Sequence, residues 1–295
     1  MTYSIVARDP DTGCFGVAVQ SHWFAVGTVV PWARAGVGAV ATQAHARAEY
    51  GPELLDLLAN GATAPEALAE LISRDEAAAV RQVAVVDAQG RAAVHTGGGC
   101  IAEAGHQVDE GDGVAAQANI MRQPGVPAAM LDAYRQQRGA DAPMAARLIA
   151  ALVAAERAGG DLRGSQSAAL LVVGREGDDV DLRVDDHPDP VAELARLSGL
   201  QLAYTQLEQG DHAVATGDAE AAARAYAAAR EHAPTHPEVA FWSALAPAMT
   251  GDVETSTLAL ADLPDPDGRW GELLRRLADV GIVDRDLLAR LLPRA

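Results

Sequence analysis

Lysine is absent from this chain of 295 residues, cysteine occurs twice, and aromatic residues make up only 4%. Because there is no lysine, all 23 basic side chains are arginines, and a lysine cannot serve as a catalytic base. The two cysteines, Cys14 and Cys100, are too few for a disulfide framework or a cysteine-based zinc site. They fit a reducing compartment, where each is interpreted as a small packing residue.

Positive charge is also scarce, since 41 acidic residues give a net charge of −18. Such an acidic chain repels phosphate groups, so nucleic acid and anionic membranes are excluded as expected partners. No signal peptide and no long apolar run is recognised, so we expect a soluble cytoplasmic protein. The histidines show no metal-ligand spacing, and the glycines 97–99 are not followed by a lysine, so neither a metal nor another cofactor is predicted. Self-association into a homo-oligomer is left open.

Apolar residues make up 49% of the chain and form a pattern that alternates between strands and helices. Hairpins of β-rich segments alternate with pairs of helical segments in the order strands, two helices, strands, two helices, strands. Thr63 and Glu66 form a capping box that predicts the start of the second helix. This order predicts an α+β fold with two antiparallel sheets whose outer faces are covered by helix pairs.

The segment from Asp185 to Pro190 contains two prolines and predicts a turn leading out of the first domain. We therefore predict one domain over residues 1–195 and a second, helical domain over 196–295. In the second domain, Gly210, Gly217 and Tyr226 have the spacing of a tetratricopeptide-like unit, and Gly251 follows Gly217 by the 34 residues of that repeat.

The first strand begins at the second residue, Thr2. Initiator methionine is removed when the next residue is small, which would leave Thr2 at the amino terminus. An amino-terminal threonine carries its own catalytic pair, because its hydroxyl is a nucleophile and its α-amine, with a pKa of about 7.7–8.0, is a base.

Several segments resemble the domain of unknown function 1028 family, namely TYSIVARDPDTGCFGVAVQS, VVPWARAGVGAVATQA, RQVAVVDAQGRAAVHTG, GGDLRGSQSAALLVV and DLRVDDHPDPVAEL. The resemblance covers residues 2–200. It implies the N-terminal nucleophile (Ntn) hydrolase superfamily, a four-layer αββα sandwich and the hydrolysis of amide bonds.

The resemblance also implies roles for particular residues. Thr2 would be the nucleophile, and Arg34 would stand where threonine-type members carry a lysine. An oxyanion hole is expected to use a backbone N–H in the segment Thr42-Gln43-Ala44, with the side-chain amide of Asn119 as an additional donor. Gln20, Ser21 and Arg163 are expected to contact substrate.

The expected substrate is a small amide or a short peptide. Arg34, Arg47 and Arg163 are expected to surround Thr2, which would favour a substrate that carries a carboxylate. The alternative for each arginine is a structural ion pair with one of the many acidic residues.

Two other readings stay open. The chain could be a non-catalytic binding or scaffold protein that uses the sandwich and the helical repeats as docking surfaces. Hydrolysis could also depend on Cys14 or Ser4 as the nucleophile instead of Thr2.

Overall fold

The computed structural model describes residues 2–140, 142–174 and 179–292. It divides into two compact units, Met1–Ser198 and Gly199–Ala295.

The first unit is mixed α/β with two antiparallel sheets, as the sequence predicts. A six-stranded first sheet has the order β10-β9-β2-β1-β8-β7, and a four-stranded second sheet has the order β3-β4-β5-β6. The described strands are β1 (Thr2–Arg8), β2 (Phe15–Ser21), β3 (Pro31–Arg34), β4 (Gly38–Ala44), β5 (Arg81–Asp87), β6 (Ala92–Thr96), β7 (Gly105–Asp109), β8 (Val114–Asn119), β9 (Ser167–Val173) and β10 (Val180–Val184).

Two pairs of helices pack on this unit. They are α1 (Tyr50–Ala59), α2 (Ala64–Arg74), α3 (Val126–Gly139) and α4 (Met144–Arg157). The capping box of α2 is confirmed: Thr63 accepts from the backbone N–H of Glu66, and Glu66 accepts from that of Thr63. This reciprocal pair fixes the start of α2 because two otherwise unpaired N–H groups receive acceptors.

Three apolar cores separate the layers of the first unit. Strand side chains alternate between the two faces of a sheet, so each strand contributes to two cores. On β1, Ile5 faces α3 and α4, whereas Val6 faces the second sheet. On β4, Val40 packs with α1 and α2, whereas Ala41 faces the first sheet. We call the face of each sheet that looks toward the other sheet its inner face, and the opposite face its outer face.

The segment 185–190 does not lead out of the first unit, which corrects the expectation of a linker there. Helix α5 (Pro190–Thr216) begins in this segment, and its residues Val191 and Leu194 are buried in the core with α3 and α4. The reason is apolar burial, because a fully buried leucine contributes about 2 kcal/mol relative to an exposed one.

In the described part of the second unit, the regular elements are all helices, beginning with the part of α5 from Gly199 onward. Its further helices are α6 (Ala219–His232), α7 (Pro237–Met249), α8 (Val253–Ala261), α9 (Arg269–Asp279) and α10 (Arg285–Leu291). Gly210 of α5 lies against the ring of Tyr226, where a Cβ would approach the ring to 2.9 Å. A side chain at position 210 would therefore separate α5 from α6. None of the helices in the described ranges combines the length and hydropathy needed to cross a membrane.

Candidate active site

Polar side chains occupy the inner faces of both sheets at one end. Val6, Val17 and Ala84 make the inner faces apolar farther along the strands. At the end where Thr2 lies, the inner positions change to hydroxyl and amide side chains that are almost completely buried. We call these residues the inner polar cluster: Thr2, Ser4, Ser21, Gln43, Gln82, Gln117 and Asn119.

Gln43 connects the two sheets through this cluster. Its Nε2 donates to the backbone carbonyl of Thr2 at 3.1 Å and to Oε1 of Gln82 at 2.8 Å. Its Oε1 accepts the hydroxyl proton of Ser4 at 2.7 Å. Because a buried amide without partners costs free energy, these contacts favour one orientation of Gln43 and fix the backbone at Thr2.

Asn119 lies directly opposite Thr2 in the neighbouring strand β8. One amide hydrogen of Asn119 is donated to Oε1 of Gln82 at 2.9 Å. A carboxamide has two N–H hydrogens to donate. Both hydrogens of Gln43 are engaged, whereas Asn119 has donated one. Asn119 therefore has a second amide hydrogen to donate, although it is not among the described residues that line the cavity beside Thr2.

The hydroxyl of Thr2 lies 3.1 Å from the hydroxyl of Ser21, its neighbour in β2. Both residues line a cavity of about 420 Å³, which we call the Thr2 pocket. Gln43 and His45 complete its polar lining. The remaining lining residues are apolar: Trp23, Val26, Val29, Val30, Ala44 and Ala46.

His45 is held at the pocket by a chain of charged groups. A guanidinium N–H of Arg81 lies 3.1 Å from Nδ1 of His45, and the same group donates to the His45 carbonyl. Because a guanidinium can only donate, Nδ1 accepts, and the proton of the neutral ring is on Nε2. Arg81 is paired with Asp75 at 2.8 Å, and the hydroxyl of Tyr50 donates to Asp75 at 2.7 Å. The hydrogen bond from Arg81, followed by that from Tyr50, holds the pKa of Asp75 well below its usual value.

The backbone turns sharply where the polar strand ends meet the loops. Ala44 follows Gln43 with φ +65°, and Ile120 follows Asn119 with φ +55°. An alanine or isoleucine in the left-handed region is strained by its Cβ, and such strain is concentrated at functional sites in proteins. The two strained positions support a binding or catalytic role for this end of the sheets.

Three of the residues expected at the site lie elsewhere. Arg34 pairs with Gly38 at the far end of β4, roughly 16 Å along the strand from Gln43, and it forms an ion pair with Asp56 at 2.9 Å. The side chain of Thr42 is on the outer face of β4, where its hydroxyl donates to the carbonyl of Arg47. Its backbone N–H, the donor expected for the oxyanion hole, donates to the carbonyl of Val30 at 3.1 Å. Gln20 is on the outer face of β2, fully buried, and its amide contacts no hydrogen-bonding group of the described residues. Side-chain alternation explains Thr42 and Gln20, because each is one residue out of register with the inner face.

Arg163 lies at the correct end of the sheet but is not among the described residues that line the pocket. The buried carboxylate of Asp161 accepts from the backbone N–H of Arg163 at 2.8 Å and from its guanidinium at 3.4 Å. Asp161 also accepts from the N–H of His22, the residue after β2. Arg47 likewise forms an ion pair, with Glu53 at 3.3 Å. The structure therefore does not bring the three expected arginines together around Thr2.

Gln82 and Gln117 are members of the cluster that the sequence analysis missed. The sequence does contain a signal for them, because each glutamine adjoins a run of small apolar residues in a strand. Gln82 precedes such a run, and Gln117 follows one, as Gln43 does. Glutamine is unusual at a buried strand position, and its recurrence in β4, β5 and β8 marks one shared polar layer. In the described part of the chain, no group of three or more His, Cys, Asp or Glu side chains is placed to hold a metal ion.

The first unit is thus a mixed α/β protein with two antiparallel sheets and a buried polar site at one end between them. The chain belongs to the family described as "Family of unknown function (DUF1028)", whose sequence profile matches residues 2–194. The chain is similar to the crystal structure of protein SPO2555 from Silicibacter pomeroyi, which is assigned to the same family, with 34% identity and a TM-score of 0.61. That match covers 67% of this chain and 87% of the other. No curated protein matches the chain.

Proposed function

We propose that the protein is an N-terminal nucleophile hydrolase that cleaves a small amide or a short peptide, with Thr2 as the nucleophile. In this proposal the first unit is a four-layer αββα sandwich of the Ntn-hydrolase superfamily. The observation that carries it is the placement of Thr2 at the first position of a central strand, where it is one of the residues that line the Thr2 pocket. The proposal requires removal of Met1, a residue outside the described ranges.

Catalysis would begin when the Thr2 hydroxyl oxygen attacks the carbonyl carbon of the amide. The hydroxyl proton passes to the α-amine of Thr2, which acts as the base. Ser21, whose hydroxyl is 3.1 Å away, orients the nucleophile. The second amide hydrogen of Asn119 donates to the oxyanion of the tetrahedral intermediate.

The intermediate then collapses as the carbon–nitrogen bond breaks. The leaving nitrogen takes the proton from the α-ammonium group, and the acyl group remains as an ester on Thr2. Water attacks this ester with the amine again acting as base. The ester bond breaks, the acid is released, and the proton returns to the Thr2 oxygen.

Gln43 would have a positioning role in this scheme. Because it holds the Thr2 carbonyl from the opposite sheet, it fixes the direction of the Thr2 backbone. Arg34 has no role in it, since it lies at the far end of β4. No arginine is among the described residues that line the pocket beside the nucleophile, and in this proposal the α-amine of Thr2 is the base.

For the second unit, the proposal is a tetratricopeptide-like array. The close contact of Gly210 with Tyr226 supports it, as does the burial of Ala222 and Ala229 in the core between the helices. Such small residues let paired helices pack closely.

The test is a screen of small amides and dipeptides with the wild type, Thr2→Ser and Thr2→Ala. Thr2→Ser keeps a hydroxyl and an amine, so it should retain turnover, whereas Thr2→Ala should lose about 1000-fold or more. Ser4→Ala and alkylation of Cys14 examine the other two nucleophiles. Full activity in Thr2→Ala would reject the proposal. If the wild type turns over none of the substrates, the non-catalytic binding role explains the protein better.

A further inference from the structure

The Thr2 pocket has no formally charged side chain among its described lining residues. Its polar members are hydroxyl, amide and imidazole groups, and six apolar residues form the rest of the wall. A carboxylate moved into such a wall loses its hydration and meets no cationic side chain there, and the α-amine of Thr2 is neutral when it acts as the base, so the transfer is costly. An apolar group gains free energy there because it removes apolar surface from water.

The arginines that could receive a carboxylate are engaged elsewhere. Arg34 is paired with Asp56, Arg47 with Glu53, and Arg163 with Asp161. Arg81 approaches the pocket through His45, but Asp75 lies 2.8 Å from its guanidinium and offsets its charge. The net charge of −18 adds a general repulsion of anions.

Trp23 provides a second observation on the same pocket. Its side chain is 65% exposed although it lines the cavity, and the neighbouring Phe24 is 63% exposed without lining it. An exposed indole beside a partly apolar cavity is a surface that a bound apolar group would cover. His45 contributes the proton on Nε2, which can donate to a neutral acceptor such as a carbonyl oxygen.

We propose that the Thr2 pocket binds an uncharged, apolar group of an amide substrate, and that it discriminates against substrates with a carboxylate at that position. This inference rests on the proposed function and reverses the preference for acidic substrates expected from the sequence. Trp23 is then a specificity-determining residue that packs on the apolar group.

The test compares phenylacetamide, 4-methylphenylacetamide and 4-carboxyphenylacetamide by calorimetric titration of the full-length wild type and Thr2→Ala. The two neutral amides should bind, and the carboxylate should bind roughly 100-fold more weakly in both proteins. Equal or tighter binding of the carboxylate would overturn the inference, as would a lack of binding by the neutral amides. Selective binding without any turnover would uphold the inference and reject the proposed hydrolysis.

Trp23→Glu tests the specificity residue, with Phe24→Glu as its matched control. Both side chains are exposed, so circular dichroism should show that each variant folds. We expect Trp23→Glu to weaken the binding of 4-methylphenylacetamide about tenfold and Phe24→Glu to leave it unchanged. If the two variants weaken the binding of 4-methylphenylacetamide equally, Trp23 does not determine the specificity.

Discussion

The side-chain amide of Gln43 donates to the backbone carbonyl of Thr2 at 3.1 Å, so a strand of the second sheet holds the first residue of the first sheet's central strand. The same amide nitrogen donates to Gln82, and its oxygen accepts from Ser4. One side chain therefore satisfies three buried partners, and the position of Thr2 depends on it.

Replacement of Gln43 by leucine should destabilise the protein by about 3 kcal/mol. The leucine would leave the Thr2 carbonyl, the Ser4 hydroxyl and the Gln82 carboxamide oxygen without this partner. Urea unfolding measures the effect. Gln136→Leu, on an exposed face of α3, is the control and should change stability by less than about 0.5 kcal/mol. Similar losses for both variants would show that Gln43 has no special structural role.

Asp75 should stabilise the folded state above its unfolded pKa of about 4, because Arg81 and Tyr50 lower its pKa in the folded state. This stabilisation is lost as the pH falls below about 4 toward the folded pKa. Asp75→Asn should therefore be less stable than the wild type at neutral pH, and the difference should shrink in acid. Asp56→Asn, in an exposed ion pair, should match the wild type throughout. A constant difference for Asp75→Asn would contradict the assignment.

All five tyrosines should resist ionisation in the folded protein. Burial is the main cause for Tyr3, Tyr50, Tyr134 and Tyr226, and the hydrogen bond to Glu238 is the main cause for Tyr204. The pKa is raised to about 12 in Tyr50, Tyr134 and Tyr204. Since these folded-state values are raised, the stabilisation is present below the unfolded pKa of about 10 and is lost as the pH rises toward 12.

Titration of tyrosinate absorbance, followed together with near-ultraviolet circular dichroism, tests this expectation. The tyrosines should ionise together with loss of the native signal. A tyrosine that ionises near pH 10 while the native signal persists would contradict it.

A protein truncated after Ser198 should fold, whereas a protein truncated after Asp189 should not fold stably. The shorter chain lacks Val191 and Leu194, which are buried in the core beside α3 and α4. Loss of one such leucine costs about 2–5 kcal/mol, a large part of the stability of a domain. Thermal unfolding of the two chains measures the difference. Equal stability would show that the start of α5 is dispensable for the first unit.

The sequence was sufficient to predict most strands and helices of the first unit because its signals are local. The capping box at Thr63 and the β-rich segments that occur as hairpins are examples. Strand β7 was missed, since Gly105–Asp109 is short, polar and at the edge of its sheet, and it has no apolar alternation. A local pattern cannot reveal a strand that is held by its pairing with β8 and by side chains from distant parts of the chain, such as Gln82 and Arg135.

The candidate site was predicted only in part, because it depends on which strand ends meet. Thr2, Ser21, Gln43 and Asn119 come together at one end. Arg34 does not, because the register of β3 with β4 places it at the other end. The face on which the side chains of Gln20 and Thr42 lie follows from their position relative to Val19 and Gln43, and applying that alternation to every strand would have placed both side chains on the outer faces.

The intact mass of the purified native protein shows whether Thr2 carries a free amine. We expect a mass lower than that of the full sequence by one methionine residue, with an unmodified amine on Thr2. Complete retention of Met1 would contradict it, because the α-amine of Thr2 would then be part of a peptide bond and could not act as the base.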